Sequence, residues 1–269
     1  MAVELVFENR SKVGAMIQDS LLMIKRSSTH IIRNTDQLLG AFFQPIMFLV
    51  LFASVFGGSI EKALPGGVSY INFLMAGIIV QTVAFGSTTT AIAVSTDLKK
   101  GIVDRFKSLP MSNLAVLNGH VISDIFRNAI STTVMIVSGF VIGFRPQADL
   151  IGWLQIIGIL LLFTFAFSWL SAIIGVLAKS VEAVQWLTFV IIFPLTFASS
   201  AFTPTAGMGK YLKAFAENQP ITQVVESIRA LILGTPIGTY GWKAVAWSIG
   251  TLLVAIPLAS YLFKTKTSN

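Results

Sequence analysis

Six apolar runs, each long enough to cross a bilayer as a helix, dominate this chain and leave little room for any other fold. They cover approximately residues 38–56, 70–94, 117–144, 150–178, 184–202 and 242–263, and a spanning helix needs about 20 apolar residues. The 269 residues are 54% hydrophobic and 12% charged, with a mean hydropathy of +0.79. Soluble domains carry roughly 25% charged residues, so the expected fold is an all-α membrane protein with six transmembrane helices. The net charge of +7 does not point to nucleic acid, because most charges stand at the ends of apolar runs, where lysine and arginine orient spans. There is no cysteine, which excludes disulfides, thiolate metal sites and thiol catalysis.

Six spans place both termini on one side of the membrane. That side holds Arg10, Lys12, Lys25, Arg26 and Arg33 before the first span, and Lys99, Lys100, Arg105 and Lys107 after the second. Lys179 follows the fourth span, and Lys264 and Lys266 follow the sixth. The other side holds only Lys62, Arg145, Lys210, Lys213, Arg229 and Lys243, while Arg127 falls inside the third span. The positive-inside bias therefore puts both termini in the cytoplasm of a multi-pass plasma-membrane protein. Glu4, Glu8 and the lack of an early apolar core give no signal-peptide pattern. Before the first span, Leu21, Leu22, Ile24, Ile31 and Ile32 alternate with Lys25, Arg26, His30 and Arg33. Residues 14–34 thus read as an interfacial amphipathic helix, with a solvated cytoplasmic helix as the alternative. The whole chain, 1–269, reads as one membrane domain, without internal repeats.

The second span runs straight into STDLKKGIVDRFKSLP, residues 95–110. Leu98, Ile102 and Phe106 recur at i, i+4 and i+8 and share one helical face. Asp97, Lys99, Lys100, Asp104, Arg105 and Lys107 cover the rest, and Pro110 marks the stop. So short a helix neither folds nor spans alone. It suits either docking into a groove on a partner or lying on the lipid surface, and periodicity does not separate the two.

Residues 203–240 are long for a loop and far from polar. Pro220 opens a helical pattern in which Ile221, Val224, Val225, Ile228, Leu231 and Ile232 share a face, and Gly234 and Pro236 end it. Residues 221–233 reach roughly 20 Å as a helix, short of the approximately 30 Å hydrocarbon core. The expectation is an extracellular re-entrant segment, tolerated only where it is buried in protein or lines a cavity. Glu226 and Arg229 stand three apart on it and can pair.

No catalytic or metal constellation is visible. His30 and His120 lie in different segments, and neither has a partner set resembling a triad or a metal site. The nearest approach to a phosphate loop, Gly207-Met208-Gly209-Lys210-Tyr211, lacks the first glycine and the hydroxyl after the lysine. If ATP powers this protein, another polypeptide binds it.

Polar and aromatic residues within the spans offer candidate sites. Asp124 and Arg127 share a face in the cytoplasmic third of the third span. They read as a gate or coupling element, or as a static ion pair locking the packing. Gln81, Thr88 and Ser95 recur at seven-residue intervals in the second span and could line a substrate path, or could bond their own backbone. Phe189, Phe193 and Phe197 form a stripe around Pro194 in the fifth. That stripe suits a planar or lipid-like substrate, and equally a lipid-facing surface. Gly139 and Gly143 form a small-xxx-small pair that would permit close helix contact.

The run VAFGSTTTAIAVSTDLKKGIVDRFKSLPMS, then SSAFTP at 199–204 and FAENQPITQVVESIRALILGTP at 215–236, resembles the daunorubicin-resistance permease family of type-2 ATP-binding-cassette exporters. The resemblance covers nearly the whole chain in order. It implies a permease, not itself an enzyme, that dimerises and binds two copies of a cytoplasmic ATPase carrying ATP and magnesium. It also implies that the segment matching 97–110, with Asp97, Leu98, Lys100, Gly101, Ile102, Asp104, Arg105, Phe106, Leu109 and Pro110, is the coupling helix. By the same resemblance the segment at 204–234, with Pro204, Asn218, Pro220, Glu226 and Arg229, forms extracellular re-entrant helices. His120 follows Gly119 where relatives often have arginine. The family exports drugs, self-made antibiotics, lipids and glycolipids, so the expected function is export of drugs or other amphiphiles. A glycolipid or lipid-linked glycan is the alternative. A passive channel, an ion-coupled carrier and a protein that only recruits a cytoplasmic partner are the readings from other classes.

Overall fold

The computed structural model describes residues 35–64, 67–101 and 113–268. The expected interfacial helix at 14–34, and Ile102, Asp104, Arg105, Phe106, Leu109 and Pro110 of the coupling segment, lie outside the described residues. Every regular element among the described residues is helical: α1 Thr35–Ile60, α2 Tyr70–Gly86, α3 Thr88–Lys99, α4 Asn113–Ile142, α5 Leu150–Leu177, α6 Val181–Phe197, α7 Lys210–Asn218, α8 Pro220–Ile232 and α9 Tyr240–Ser268, with 3-10 turns at Glu61–Ala63 and Thr205–Gly207. Five stretches are long and apolar enough to cross a membrane: Phe43–Ile60, Tyr70–Lys99, Val116–Ile142, Leu150–Leu177 and Tyr240–Lys266. The expected fifth span is shorter than its apolar run. Its helix, α6, stops at Phe197 after 17 residues, or about 25 Å, and residues 198–203 turn away from it.

Side-chain caps set several helix starts. Ser69 accepts from Asn72 N at 3.3 Å to open α2, Asp149 from Gly152 N at 2.7 Å to open α5, and Ser180 from Ala183 N at 3.0 Å to open α6. Each satisfies one of the amide donors that a helix start leaves over. The Asn72 side chain also exchanges two hydrogen bonds with the backbone of Arg145, at 3.1 and 2.9 Å, pinning the start of α2 to the end of α4.

The second span is two helices. Ser87 separates α2 from α3; Ser87 Oγ donates back to Ala84 O at 2.7 Å and Thr89 Oγ1 to Gly86 O at 2.9 Å. Hydroxyls bonding backward compete with the ladder and bend helices. Here Thr90 N donates to Ser87 O at 3.0 Å, leaving Gly86 O outside the backbone ladder. The α2 half is buried nearly all round, from Phe73 to Ala84, because it runs through the middle of the bundle. A Cβ on Gly77 would lie 2.0 Å from Ala201 O, so the approach of residues 198–203 to α2 requires glycine there. Similarly, a Cβ on Gly175 of α5 would lie 2.4 Å from Ala91 O of α3.

One apolar core joins α2 to α8 and parts of α4 and α5 through Leu74, Ile78, Phe163, Val224, Val225 and Ile228. A second gathers Leu117, Trp169, Val176, Ala255 and Phe263, where α5 and α9 pack together. The amine of Lys266 donates to the carbonyls of Val176 and Ala178 at the end of α5, a cation where the helix dipole favours one. By contrast, α1 presents Phe43, Met47, Leu51 and Val55 outward. The pair Gly139 and Gly143 faces α2 one turn apart, Gly139 against Met75 and Gly143 against Ile71. A Cβ on Gly139 would meet Met75 Cε at 2.7 Å, whereas Gly143 sits at φ +114 and follows the last helical turn.

Candidate functional site: a polar joint and its groove

The break in the second span is the point on which α2, α3, α4 and α5 converge. Asp124 and Arg127 lie one turn apart on α4, are 2% and 4% exposed, and form an ion pair. Arg127 also donates to Gly86 O, the carbonyl left over at the break. The Asp124 carboxylate also accepts from Ser168 Oγ at 2.5 Å and Asn128 Nδ2 at 3.1 Å, and Thr89 Oγ1, whose one proton is shared with Gly86 O, lies 3.1 Å from it. Ser87 Oγ and Ser171 Oγ are 2.9 Å apart beside it. A buried carboxylate with an arginine, two neutral donors and a shared hydroxyl is a satisfied ion, and such networks fix a unique packing. A Cβ on Gly86 would fall 2.1 Å from Asn128 Oδ1, so the close approach of α4 is built into the joint.

A groove of about 260 Å³ opens against this joint, bordered by Gln44 and Phe48 of α1, Gln81 and Phe85 of α2, and Arg127 and Ser131 of α4. It shares Gln44, Phe48, Phe85 and Gln185 with a neighbouring groove of about 300 Å³, lined further by Thr88, Phe189, Phe193 and Phe197. Phe193 and Phe197 stack with centroids 4.2 Å apart, and Phe189 follows at 4.9 Å from Phe193. The aromatic stripe and Thr88 are therefore brought to one groove and Gln81 to its neighbour, the two forming adjoining halves of a cleft. Ser95 borders neither. It is buried away from both grooves, and its Oγ has no hydrogen-bond partner among the described residues.

Of the expected amphipathic ridge only Leu98 lies among the described residues. It belongs to α3, which ends at Lys99; Lys100 caps it, and Gly101 follows at φ +62, the left-handed conformation that stops helices. Asp97 is buried rather than on a solvated face, with its Oδ2 3.0 Å from His120 Nε2. A carboxylate and an imidazole 23 residues apart give no local sequence signal, and this contact was not legible beforehand.

At the opposite end, Arg229 of α8 pairs with Glu226 and is 4% exposed. Its Nη2 donates to Ser200 O at 2.7 Å, its Nε to Phe73 O at 3.2 Å, and its guanidinium lies 3.6 Å from the Phe73 ring centroid. Gln219 Nε2 donates to Leu195 O at 2.7 Å, and Thr222 Oγ1 accepts from Ser200 N at 3.2 Å. Tyr70 adds a bond from its hydroxyl to Phe202 O at 3.0 Å. Residues 198–203, with little structure of their own, are thus held by α2 and α8. Pro220 is the first residue of α8, Asn218 is exposed and caps its own helix through Ala214 O at 2.8 Å, and Pro204 precedes the 3-10 turn.

Residues 19–233 match the ABC-2 type transporter family, and with most of its length matched the chain belongs to that family. It is 28% identical over 233 residues to the daunorubicin resistance ABC transporter permease protein DrrB1 of Streptomyces coeruleorubidus, covering 87% of this chain and 81% of that protein. It is 24% identical over 246 residues to the probable doxorubicin resistance ABC transporter permease protein DrrC of Mycobacterium tuberculosis, covering 90% and 87%. A putative transport permease of Cyanophora paradoxa is 25% identical over 218 residues, covering 80% and 74%. The chain is accordingly a multi-pass transporter permease.

Proposed function

We propose that this permease is the membrane half of an exporter driven by a separate cytoplasmic ATPase, and that it moves drugs or other amphiphiles out across the plasma membrane. The observation that carries this reading is the cleft. Its aromatic side opens outward through Phe189 and Phe193, 45% and 37% exposed, and its inner end meets the polar joint of Asp124, Arg127 and Gly86. Apolar walls with a few placed polar groups are what a small-molecule site needs. From that joint α3 runs on into the coupling segment of residues 97–110, whose Asp97 and Leu98 it contains, so one helix links the cleft to the place that receives force. ATP and magnesium belong to the ATPase, two copies of which serve a permease homodimer.

In this reading the whole chain is one transmembrane unit of six spans, α6 being the short fifth, with both termini in the cytoplasm. The helix α8 is 13 residues long and buried among α2, α5 and α9, which supports a re-entrant role: backbone that dips into a bilayer without crossing must be covered by protein. The pair of Glu226 and Arg229 then works as an outer clamp on residues 198–203, and release of that clamp opens the exit.

The test is uptake by inverted membrane vesicles holding the permease with its ATPase. ATP-dependent accumulation of a fluorescent amphiphile is expected, absent when either protein is omitted. Equal uptake without ATP would establish a carrier or channel instead. Preferential uptake of a lipid-linked glycan over drugs would move the substrate to the glycolipid class.

A further inference from the structure

Three side chains in the wall of the groove at the joint combine burial with unmet hydrogen-bonding capacity. Gln81, Arg127 and Ser131 are 4%, 4% and 3% exposed and all border the groove. Gln81 Oε1, Arg127 Nε and Ser131 Oγ are closed to solvent and have no hydrogen-bond partner among the described residues, so a ligand meets them as these side chains turn toward the groove. Buried polar groups in native proteins are almost always satisfied, and lipid supplies no donors or acceptors in place of water. Unmet groups gathered at one cleft mark where a ligand's polar atoms belong.

Their kinds narrow the ligand. A glutamine oxygen only accepts, an arginine Nε–H only donates, and a serine hydroxyl does either. A hydroxyl group on the ligand answers all three. A quaternary ammonium offers neither a donor nor an acceptor, and a doubly ionised phosphate ester offers acceptors alone. Charge points the same way. Arg127 is the one charged residue bordering the two grooves among the described residues, and Asp124 already neutralises it. An ion entering this cleft would leave water without gaining a free counter-charge.

We propose that the cleft takes uncharged, hydroxyl-bearing amphiphiles head-first, the hydroxyls among Gln81, Ser131 and Arg127 and the apolar body along Phe48, Phe85 and the stripe from Phe189 to Phe197. The proposal rests on reading the cleft as the substrate path and adds the head-group chemistry to it.

The test is photolabelling of the full chain in phosphatidylcholine nanodiscs by 1-decanoylglycerol carrying a diazirine on its chain, with competition by plain 1-decanoylglycerol, decyl phosphate and decyltrimethylammonium. The label is expected on residues 81–92 or 185–197. Decanoylglycerol is expected to compete at about one-tenth the concentration of either ion, the discrimination that a few matched hydrogen bonds provide. Gln81→Leu combined with Ser131→Ala should erase that preference. Labelling outside these segments, or competition by either ion as effective as that by the neutral compound, overturns the proposal. Should the double variant fail to fold, the order of competitors on the wild-type chain decides alone. Because neither ATP nor the ATPase enters this measurement, failure of ATP-driven export would leave its result standing, and a negative result here would leave the exporter reading intact.

Discussion

Arg127 of α4 donates to the carbonyl of Gly86 at the end of α2, so a gap in the hydrogen-bond ladder of one helix is filled by a side chain of another. The same guanidinium pairs with Asp124. The bend in the second span and the buried ion pair are therefore one structure.

Asp124→Ala should be strongly destabilising, because it strands a buried arginine; breaking such a pair costs about 3–5 kcal/mol. Asp124→Ala combined with Arg127→Ala should recover part of that loss, but the Gly86 carbonyl keeps only Thr89 as a donor. Thermal unfolding followed by fluorescence-detected size exclusion gives the order. A double variant no more stable than the single one would mean that the two charges do not act together.

Gly77→Ala should be more damaging than Gly86→Ala. The new methyl at 77 meets the backbone oxygen of Ala201 at 2.0 Å, whereas at 86 it meets the Asn128 side-chain oxygen at 2.1 Å. A side chain can be removed, so Asn128→Ala should restore part of what Gly86→Ala loses, less the bond that Asn128 donates to Asp124, each clash costing about 1–3 kcal/mol. No single substitution should rescue Gly77→Ala. Expression yield and melting temperature of the four variants measure this.

Arg229→Ala should impair export and lower stability. Glu226→Ala combined with Arg229→Ala should recover only a small part, since Ser200 O and Phe73 O still lose their donor. Recovery to the wild-type level in the double variant would reduce the role of Arg229 to charge pairing. Arg229→Lys should not substitute, because a single ammonium cannot reach carbonyls on two elements with the geometry of a guanidinium fork.

Single cysteines in this cysteine-free chain test the orientation. Ala206→Cys lies exposed at the 3-10 turn and should react with an impermeant reagent in intact cells, while Asn113→Cys at the start of α4 should be shielded. The reverse pattern would invert the topology inferred from the basic residues.

Phe106→Ala should leave membrane insertion normal and weaken assembly with the ATPase, or uncouple hydrolysis from transport, as loss of a docking anchor does. Co-purification of the two subunits and ATPase rate against transport rate separate the outcomes. Wild-type behaviour in both would leave Phe106 on the lipid surface.

The apolar runs made most helices legible, because lipid demands continuous hydropathy and closed ladders. They could not show the interruption at Ser87, where glycine, serine and threonine leave hydropathy high while altering where carbonyls find donors. The same limit hid the end of α6: Phe202 is apolar, but it packs on Phe52 at a centroid distance of 4.6 Å from outside the helix. Of the joint, Asp124 and Arg127 were visible as a pair one turn apart. Ser168, Thr89 and the Gly86 carbonyl were not, since they come from other helices. The Phe189 stripe was legible by spacing, whereas its convergence with Gln81 depends on how α1, α2 and α6 meet.

The Gly86 carbonyl has two lone pairs, and Arg127 and Thr89 occupy both. Straightening the span would return that oxygen to the amide of Thr90, which now bonds to Ser87 O, and one of the two side chains must then leave. A ligand or subunit that favours the straight span thus competes with Arg127 and Thr89 for a single atom. By reciprocity, whatever draws either side chain away eases straightening by the same factor.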